Sequence, residues 1–584
     1  MKIWNRALAL ASVLLLFLVP GAQAQSTDGS PEGAAPTSAF FEAVDVNLVN
    51  VEVFVTDRKG NAITDLRRED FQLLVDGQEV PVSNFYAQAA GRPVERVQAV
   101  DAVHPGEDDP SSIPPDQRLH LILFVDNLHL TPGNRKRTFK HLREFLDNNL
   151  RSEDLVTVIS QNRSLFIHND FLNDRRVLDD ILDEVADMAS PSHVGRATQR
   201  RLFQELGILR NDHIGQDVLD REKDSLLSQI RAHAHSEHSL ASASIDSLER
   251  LLATLGGIRG RKALIHVSDG INTKPGEALY ETWLGIFGDA NNSYELDVGS
   301  FDLLPRFRKL GRAANTSGVT FYSIDAETDH ASIGRSAAMA GGAGGILPIQ
   351  VIELLGNNPR ETMELTAQTT GGRRVQRTQK LTETLGQLAQ DFQTFYSLGF
   401  QAESSDPEKP HRIEVKVRRK GLRARHRETF QTRGRDHRSG DFAMAALLYN
   451  SVDNPLGITL EPGEIQRQDD GSALLTVLVK IPVGKLVLLP QGPNHSAQLS
   501  FFVSVKDKGG DPRPVQKIPF HLPIPADKVD EAKGREAAYP LPLVVRPGDL
   551  QAVVGVRDDY ASQDSVVRMD LDRFSGTSRS GKTR

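Results

Sequence analysis

The stretch from Leu119 to Leu130 constrains the fold of this chain more than any other. An almost continuous apolar run ends abruptly at Asp126, and Thr131-Pro132 follows before a polar segment typical of a helix. A run that is apolar at nearly every position predicts a strand buried on both faces, as in a parallel sheet covered by helices. Thr131 is a suitable N-cap, and Pro132 suits the first helical turn. Asp126 is therefore predicted at the carboxyl end of a central strand, where open α/β sheets bind ligands. The other interpretation is that Asp126 only caps the following helix or loop.

A second carboxylate follows a second buried strand. Ala263 to Val267 is predicted as that strand, and Ser268-Asp269-Gly270 comes directly after it. Predicted strands and helices alternate from Leu119 to Phe400, which is the pattern of a doubly wound α/β domain. The sequence thus places Asp269 at the same kind of strand end as Asp126.

The chain has 584 residues, which is too long for one hydrophobic core, so several domains are expected. The predicted segments are a signal peptide (1–24), a flexible leader (25–43), an N-terminal β-module (44–88), a linker (89–117), an α/β domain (118–400) with a helical insertion (190–239), a β-segment (401–432), a C-terminal β-sandwich (451–574) and a polar tail (575–584). Because the early strands are too few to be stable alone, the β-segment is predicted to pair with the N-terminal module.

The N-terminus is typical of an export signal. Lys2 and Arg6 precede an apolar core from Ala7 to Val19, and Ala22-Gln23-Ala24 is a small-x-small cleavage motif. The apolar core is shorter than the roughly 20 residues that span a membrane, and no later segment reaches that length without charges. The mature chain is therefore predicted to begin at Gln25, to be periplasmic or secreted, and to have no transmembrane segment. Absence of cysteine excludes disulfides, thiolate zinc sites and cysteine nucleophiles.

Charge and motifs argue against several classes of function. The net charge of -8 is small for this length and gives no reason to expect nucleic-acid binding. Gly341 to Gly345 lacks the spacing and the Lys-Ser/Thr ending of a phosphate-binding loop. The chain contains neither a Gly-x-Ser-x-Gly elbow nor a His-Glu-x-x-His motif. We therefore predict that the protein is not an enzyme.

Two polar clusters have simple structural interpretations. His233, His235 and His238 are predicted to lie on the solvated face of a helix, with adventitious metal binding as the alternative. The basic run from Lys416 to Arg438 is predicted to be the solvated face of a strand followed by a linker. A contact with a polyanion is the alternative for that run.

Taken in order, these segments resemble the von Willebrand factor A (VWA) superfamily, and most of all the bacterial VWFA-related exported proteins. The resemblance extends from Val44 to Phe430. It rests on Val49 to Asp57, Glu69-Asp70-Phe71, Val75-Asp76-Gly77, Phe124-Val125-Asp126, Gly260 to Gly270, Thr370-Gly371-Gly372 and Phe395 to Phe400. The expected fold is α/β: a VWA-like doubly wound central sheet flanked by helices, with antiparallel β-modules on both sides and a C-terminal β-sandwich.

The superfamily often carries a metal-ion-dependent adhesion site. It consists of Asp-x-Ser-x-Ser after the first strand, a Thr from a second loop and an Asp after the fourth strand. Asp126 matches the first Asp and Asp269 the later one, but Leu128 and Leu130 stand at the two serine positions. No Thr can be aligned, because the helical insertion falls where it should lie. The resemblance therefore implies a degenerate site with no certain cofactor, in which the two carboxylates are candidate ligands for Mg²⁺ or another divalent cation.

The resemblance also implies a protein partner at the strand-end face, with Asp126, Asn127, His129, Ser268 and Asp269 as candidate contacts. Asn127 and His129 could replace missing metal ligands, although imidazole favours zinc over magnesium. Without a cation, the two carboxylates need a proton or donors such as Asn127, Ser268 or His129. The expected function is interaction or adhesion, and Asp126→Ala is expected to weaken partner binding more than folding. The alternatives are an extracytoplasmic hydrolase that uses Asp126 and Asp269, and a structural envelope protein with a vestigial site.

Overall fold

The computed structural model describes residues 47–97, 113–162, 164–209, 215–288, 298–327, 348–376, 381–402, 409–507 and 512–571. The predicted signal peptide, leader and polar tail lie outside these ranges, as do most of the predicted linker and the glycine-rich stretch 341–345. Among the described residues, no helix is both long enough and apolar enough to cross a membrane.

The described chain up to Phe430 forms three sheets and eight helices. The strands are β1 (Asn47–Thr56), β2 (Phe71–Val75), β3 (Gln78–Val80), β4 (Asn84–Ala89), β5 (Arg92–Val97), β6 (Leu119–Asp126), β7 (Leu155–Gln161), β8 (Leu165–Ile167), β9 (Arg261–Ser268), β10 (Val319–Asp325), β11 (Arg374–Gln376), β12 (Phe395–Ala402), β13 (His411–Val417), β14 (Arg423–Arg425) and β15 (Thr429–Phe430). The helices are α1 (Pro132–Asn149), α2 (Arg175–Asp187), α3 (Ser192–Leu209), α4 (Gln216–Leu255), α5 (Glu277–Phe287), α6 (Leu304–Thr316), α7 (Ile349–Thr369) and α8 (Leu381–Gln393).

The central sheet has the strand order β11-β10-β9-β6-β7-β8, and it is parallel except for the edge strand β8. Along β6, Leu121, Leu123 and Val125 enter one apolar core, whereas Ile122 and Phe124 enter another. Successive side chains of a strand point to opposite faces, so burial on both faces explains why β6 is apolar at nearly every position. The prediction of a mixed α/β fold that contains a parallel sheet is confirmed.

Helices cover both faces of this sheet. Apolar side chains of α1, α2 and α8 complete one core, and those of α4 and α6 contribute to the other. The helices α3, α4, α5 and α7 share a further apolar core of their own, around Phe203, Ile230 and Trp283.

The structure has no break at residue 239, where the helical insertion is predicted to end. The last residues of the insertion belong to α4, one helix of 40 residues that continues to Leu255. Residues 239–255 contain neither glycine nor proline to interrupt the helix, and Ser244 and Ser247 are buried within it. The insertion therefore continues without a break into the helix that covers the sheet.

The strand from Phe395 to Phe400 was predicted within the α/β domain and lies elsewhere. It belongs to β12, which pairs antiparallel with β1 and β4. The parallel sheet ends instead at β11. An apolar strand buried on both faces has the same sequence pattern in either sheet, so the pattern could not identify its neighbours.

The predicted linker 89–117 begins with a strand. Arg92–Val97 forms β5, which pairs with β4 through a tight turn at Ala90 and Gly91. Both turn residues have positive φ, 49° and 77°, as a two-residue hairpin turn requires. Pro93 obscured this strand in the sequence, but β5 is an edge strand, where proline is tolerated.

Strands from either side of the α/β region pair with one another. The two sheets have the orders β14-β1-β12-β4-β5 and β15-β13-β2-β3, so β1 adjoins β14 and β2 adjoins β13. Their apolar side chains form one core that includes Val53, Leu73, Tyr396 and Ile413.

The basic run is not simply solvated. Arg425 donates to both carboxylate oxygens of Asp391 at 2.8 Å. Arg427 donates to the carbonyls of Asn315 at 3.0 Å and Asn50 at 2.8 Å. These arginines connect the β-strands to α8 and α6, and the run then enters a helix that was not predicted, α9 (Arg435–Tyr449).

The C-terminal region consists mainly of strands. They are β16 (Thr459–Arg467), β17 (Ala473–Pro482), β18 (Leu489–Gln491), β19 (Asn494–Asp507), β20 (Gln516–Pro525), β21 (Glu536–Val545), β22 (Asp549–Asp558) and β23 (Gln563–Asp570), with a short helix α10 (Val529–Lys533). One sheet has the order β16-β17-β21, and the other has β18-β19-β22-β23 with β20 also paired to β19. Side chains of both sheets, such as Val477 and Phe501, belong to one apolar core.

Candidate functional site

The two strand-end carboxylates lie at one edge of the central sheet. β6 and β9 pair in parallel along their length, and the backbone N–H of Asp269 donates to the carbonyl of His129 at 2.9 Å. Gly270 follows with φ of 95°, and a Cβ there would lie 2.6 Å from the Cβ of Pro359. Both the conformation and the lack of space require glycine at this turn. The turns after β6 and β9 are thereby fixed against each other.

Asp126 is fully buried, and the protein itself supplies its hydrogen-bond donors. Its Oδ2 lies 2.9 Å from Nδ1 of His129 and 3.7 Å from Nε2 of His266. Its Oδ1 accepts from Oγ of Ser244 at 3.0 Å and from the backbone N–H of Leu128 at 3.2 Å. Burial by itself would raise the pKa of Asp126, but the charge and hydrogen bond of His129 outweigh it, so the pKa lies well below its usual range. Asp126 is therefore ionised and internally paired.

His129 is the counter-ion of Asp126. The side chain is 9% exposed, and burial lowers its pKa, but the adjacent carboxylate raises the pKa by more. The net direction is upward, which favours the imidazolium form. The pair is thus a buried imidazolium and carboxylate only three residues apart in the sequence.

Asp269 is also buried, and its donors come from several elements. Its Oδ2 accepts from the backbone N–H of Thr131 at 2.9 Å and from Nη2 of Arg196 at 2.7 Å, and its Oδ1 accepts from Nδ2 of Asn134 at 2.7 Å. Nη1 of Arg196 donates at the same time to Oε2 of Glu327 at 2.8 Å. Burial raises the pKa of Asp269, and Arg196 opposes that rise only in part. A guanidinium group therefore bridges two carboxylates at the end of β9.

Asn127 and Ser268 have structural partners. Oδ1 of Asn127 accepts from Nη1 of the buried Arg135 at 2.6 Å, and Arg135 also donates to the carbonyl of Ala186. Oγ of Ser268 accepts from the backbone N–H of Gly270 at 3.1 Å. The sequence predicts both side chains as candidate donors to Asp126 and Asp269, but neither donates to them.

Four of the five predicted partner contacts are buried, and the fifth, His129, is partly buried. Asp126, Asn127 and Ser268 have 0% exposure, Asp269 has 2%, and the side chain of His129 has 9%. The polar side chains that do reach solvent at this edge belong to other residues. They are Arg196 with 27% exposure, Glu327 with 13%, and Arg137, an exposed residue of α1 that donates to Oδ1 of Asn134.

These residues do not fit a divalent metal ion. Leu128 and Leu130, at the positions where the family has serines, are buried apolar side chains. Each oxygen of Asp126 and Asp269 already accepts a hydrogen bond from the protein. In the ranges that the structure describes, no group of three or more His, Asp or Glu residues is placed to hold a metal.

The three histidines of α4 differ in burial: His233 is buried, His238 is partly buried, and His235 is exposed, as the sequence predicts for a solvated helix face. His233 is buried and its pKa is lowered by burial. The rings of His235 and His238 pack against the ring of Phe301, with centroid distances of 4.8 Å and 5.7 Å. The ring of His235 meets Phe301 edge-on, the ring of His238 meets it at a tilt, and His233 is enclosed. These contacts are consistent with a packing role.

Ser244, His129 and Asp126 form a cluster that is not a catalytic relay. Oγ of Ser244 lies 3.2 Å from Nδ1 of His129, the same nitrogen that contacts Asp126. A Ser-His-Asp relay needs the serine and the carboxylate on different ring nitrogens. Ser244 also has 0% exposure, so a substrate could not reach it.

Sequence reasoning identified only part of this network. Asp126, Asp269 and the donor role of His129 were predicted. Arg196 and Ser244 were not predicted. They lie 73 and 118 residues from the carboxylates that they contact, and the sequence of a helix does not indicate which distant side chain its polar residues meet. Asn134 was detectable in principle, since it lies in the first turn of the helix after β6.

Comparison with known proteins gives little further information. No family model matches the chain, and no curated protein does. A solved structure of a conserved hypothetical protein, BatB, from Bacteroides thetaiotaomicron is 10% identical, with a TM-score of 0.19, over 47% of this chain and 98% of that one. The manganese-loaded TRAP protein of Plasmodium vivax is also 10% identical, with a TM-score of 0.21, over 55% of this chain and 96% of that one. TM-scores this low do not support an inference about function.

Proposed function

We propose that this chain is an exported VWA-like protein that binds a protein partner through the strand-end face of its central sheet. The strand-end face is the surface formed by Arg137, Arg196 and Glu327 above the buried Asp126 and Asp269. The observation that carries the proposal is the concentration of charged side chains at the carboxyl ends of β6 and β9, where open α/β sheets bind ligands. In this proposal the exposed residues contact the partner and the buried ones hold them in place.

Binding is favoured over hydrolysis by the state of the two carboxylates. A general base or nucleophile needs an oxygen that can reach a substrate. Both carboxylates are buried, and all four of their oxygens accept protein hydrogen bonds. The hydrolase alternative would require the insertion to move away from this edge.

Export and a C-terminal β-sandwich, both predicted from the sequence, are part of the same proposal. Export rests on the motif Ala22-Gln23-Ala24 and places the protein in the periplasm or outside the cell. A C-terminal β-sandwich is supported by the two sheets of residues 459–570 that share one apolar core. N-terminal sequencing of the native protein tests export: a chain that begins at Gln25 is expected, and an intact Met1 would contradict it.

Charge reversal of one residue at each of two opposite edges of the central sheet tests this proposal. Arg137→Glu changes an exposed residue of the strand-end face, whereas Arg118→Glu changes an exposed residue before β6 at the opposite edge of the sheet. Immobilised wild-type protein and both variants are incubated with the native exported fraction, and captured proteins are quantified by mass spectrometry. We expect a partner that the wild type and Arg118→Glu capture equally and that Arg137→Glu captures at least about tenfold less, a loss of about 1.4 kcal/mol. Equal capture by all three proteins would move the interaction away from this face and favour the structural alternative.

A further inference from the structure

The carboxylate at the end of β9 already has a cation, and that cation is part of the chain. Arg196 places Nη2 2.7 Å from Oδ2 of Asp269 and Nη1 2.8 Å from Oε2 of Glu327. A guanidinium group is planar and carries its donors in a fixed fork, so it can bridge two carboxylates in this way. Nδ2 of Asn134 also contacts both carboxylates, at 2.7 Å from Oδ1 of Asp269 and 3.1 Å from Oε2 of Glu327.

The helix that carries Arg196 is attached to the turn after β6. Oγ of Ser190, just before α3, donates to the carbonyl of Asn127 at 2.7 Å and lies 3.0 Å from the carbonyl of Leu130. Next to Arg196, the carboxylate of Glu237 from α4 occupies the space beside Gly195, since a Cβ there would lie 2.2 Å from its Oε1. Apolar side chains of α3 and α4 also share one core. These contacts fix the start of α3 over the strand ends, so Arg196 is positioned more firmly than a free surface arginine.

Each of the two strand-end aspartates has its own cationic partner. Asp126 is paired with His129, and Asp269 is paired with Arg196. A divalent ion would have to displace one of these groups to reach a carboxylate oxygen. Leu128 and Leu130 are buried at the two positions where serines would supply hydroxyl ligands.

We infer that Arg196 is the resident cation of the strand-end site, and that α3 of the insertion takes the place that a divalent metal ion would otherwise fill. The arrangement of the site is then independent of metal ions and depends on the docking of α3. The inference goes beyond the proposed function, because it concerns how the site is held together and needs no partner.

Thermal unfolding of the full chain, with and without divalent ions, tests this inference. The proteins are the wild type, Arg196→Ser, Arg196→Lys and the control Arg201→Ser. Arg201 also lies on α3, but it is 51% exposed, and it donates to Glu205 and Gln229 at the surface. Each protein is measured in EDTA and in about 10 mM Mg²⁺ or Mn²⁺, a concentration at which an ion of millimolar affinity would stabilise the fold measurably.

We expect the Tm of the wild type and of Arg201→Ser to be the same in EDTA and in either ion. Arg196→Ser should unfold at least about 3 °C lower, because a buried carboxylate loses its partner. Arg196→Lys should recover part of that loss, and Mn²⁺ should raise the Tm of Arg196→Ser but not that of the wild type. The gain in cation binding can be read independently as a decrease in the electron paramagnetic resonance signal of free Mn²⁺.

Several results would overturn the inference. One is a wild-type protein that loses stability in EDTA, since a metal would then be resident. Another is an Arg196→Ser protein that unfolds at the wild-type temperature. A third is a destabilised Arg196→Ser protein whose stability neither lysine nor Mn²⁺ restores, since positive charge would then not be what the site requires. If Arg196→Ser does not fold, the response of the wild type to EDTA and the Tm of Arg196→Lys decide the matter.

Discussion

Asp126 and Asp269 lie at the ends of neighbouring strands, with Asp269 one residue further along than Asp126, and they are stabilised in different ways. Asp126 is paired with His129, three residues away, and its pKa is held below the usual range. Asp269 depends on Thr131, Asn134 and Arg196, all more than 70 residues away, and burial raises its pKa. The same sequence pattern, a buried strand that ends in aspartate, therefore produced two electrostatically different sites.

The difference shows what each carboxylate does for the fold. A buried ion pair that is close in sequence forms within one turn, and removal of one partner leaves the other charged and buried. In contrast, a carboxylate whose donors come from separate helices and strands holds those elements together. Asp269 connects β9 to the start of α1 and to α3, so its contribution depends on the docking of the insertion.

The largest effect is expected for Asp126→Ala. This variant leaves the His129 imidazolium buried without its carboxylate, and Ser244 loses its acceptor. We expect the free energy of unfolding to fall by about 3 to 5 kcal/mol, measured by urea denaturation at neutral pH. The sequence alone predicted a larger effect on partner binding than on folding, but full burial of the side chain reverses that expectation. A loss below about 1 kcal/mol would show that the pair contributes little.

The two histidines at the ends of β6 are expected to respond to pH in opposite directions. Burial lowers the pKa of His120 to about 4, so its neutral form is the folded one and its contribution is lost as the pH falls from 6.5 towards 4. The pKa of His129 is raised, so the stability of its pair with Asp126 is complete below pH 6.5 and is lost as the pH rises through the folded pKa.

Substitution of His120 tests the predicted loss of stability at acid pH. We expect the wild type to lose about 2 kcal/mol more than His120→Phe in unfolding free energy between pH 7 and pH 5. Phenylalanine can keep the edge-on contact with the ring of Phe171, now 5.0 Å between centroids. Urea denaturation of both proteins at the two pH values gives the difference. Parallel curves for the two proteins would mean that His120 does not titrate with folding.

The strands and the two carboxylates were predictable because their signals are local. β6 and β9 are largely apolar in their central residues and are closed or followed by Asp, and His129 follows Asp126 at a spacing that one turn can close. The sheet membership of β12 and the inward turn of Arg196 were not predictable, because they depend on which distant segments pack together. The continuity of α4 was not predicted either, because the charged part of the helix and the amphipathic part that covers the sheet have different sequence patterns.

A smaller effect is expected for Asp269→Asn than for Asp126→Ala. The amide oxygen can still accept one hydrogen bond, Arg196 keeps its second partner Glu327, and burial already favours the uncharged form of this group. We expect a loss of about 1 kcal/mol in unfolding free energy, by urea denaturation under the same conditions. A loss as large as that of Asp126→Ala would remove the distinction between the two strand ends.

The smallest effect is expected for Thr131→Ala. The sequence predicted Thr131 as the N-cap of α1, and it occupies that position, but within the described residues its side chain makes no capping hydrogen bond. Its contribution to the site is the backbone N–H that donates to Asp269, and alanine retains that group. Asp174 is the matched comparison, because its carboxylate caps α2 by accepting from the N–H groups of Arg176 at 3.0 Å and Val177 at 3.3 Å. Urea denaturation should show a loss of about 1 kcal/mol for Asp174→Ala and less than about 0.5 kcal/mol for Thr131→Ala. Equal losses would mean that the Thr131 side chain stabilises the end of β6 after all, and that Asp269 is supported there by more than a backbone donor.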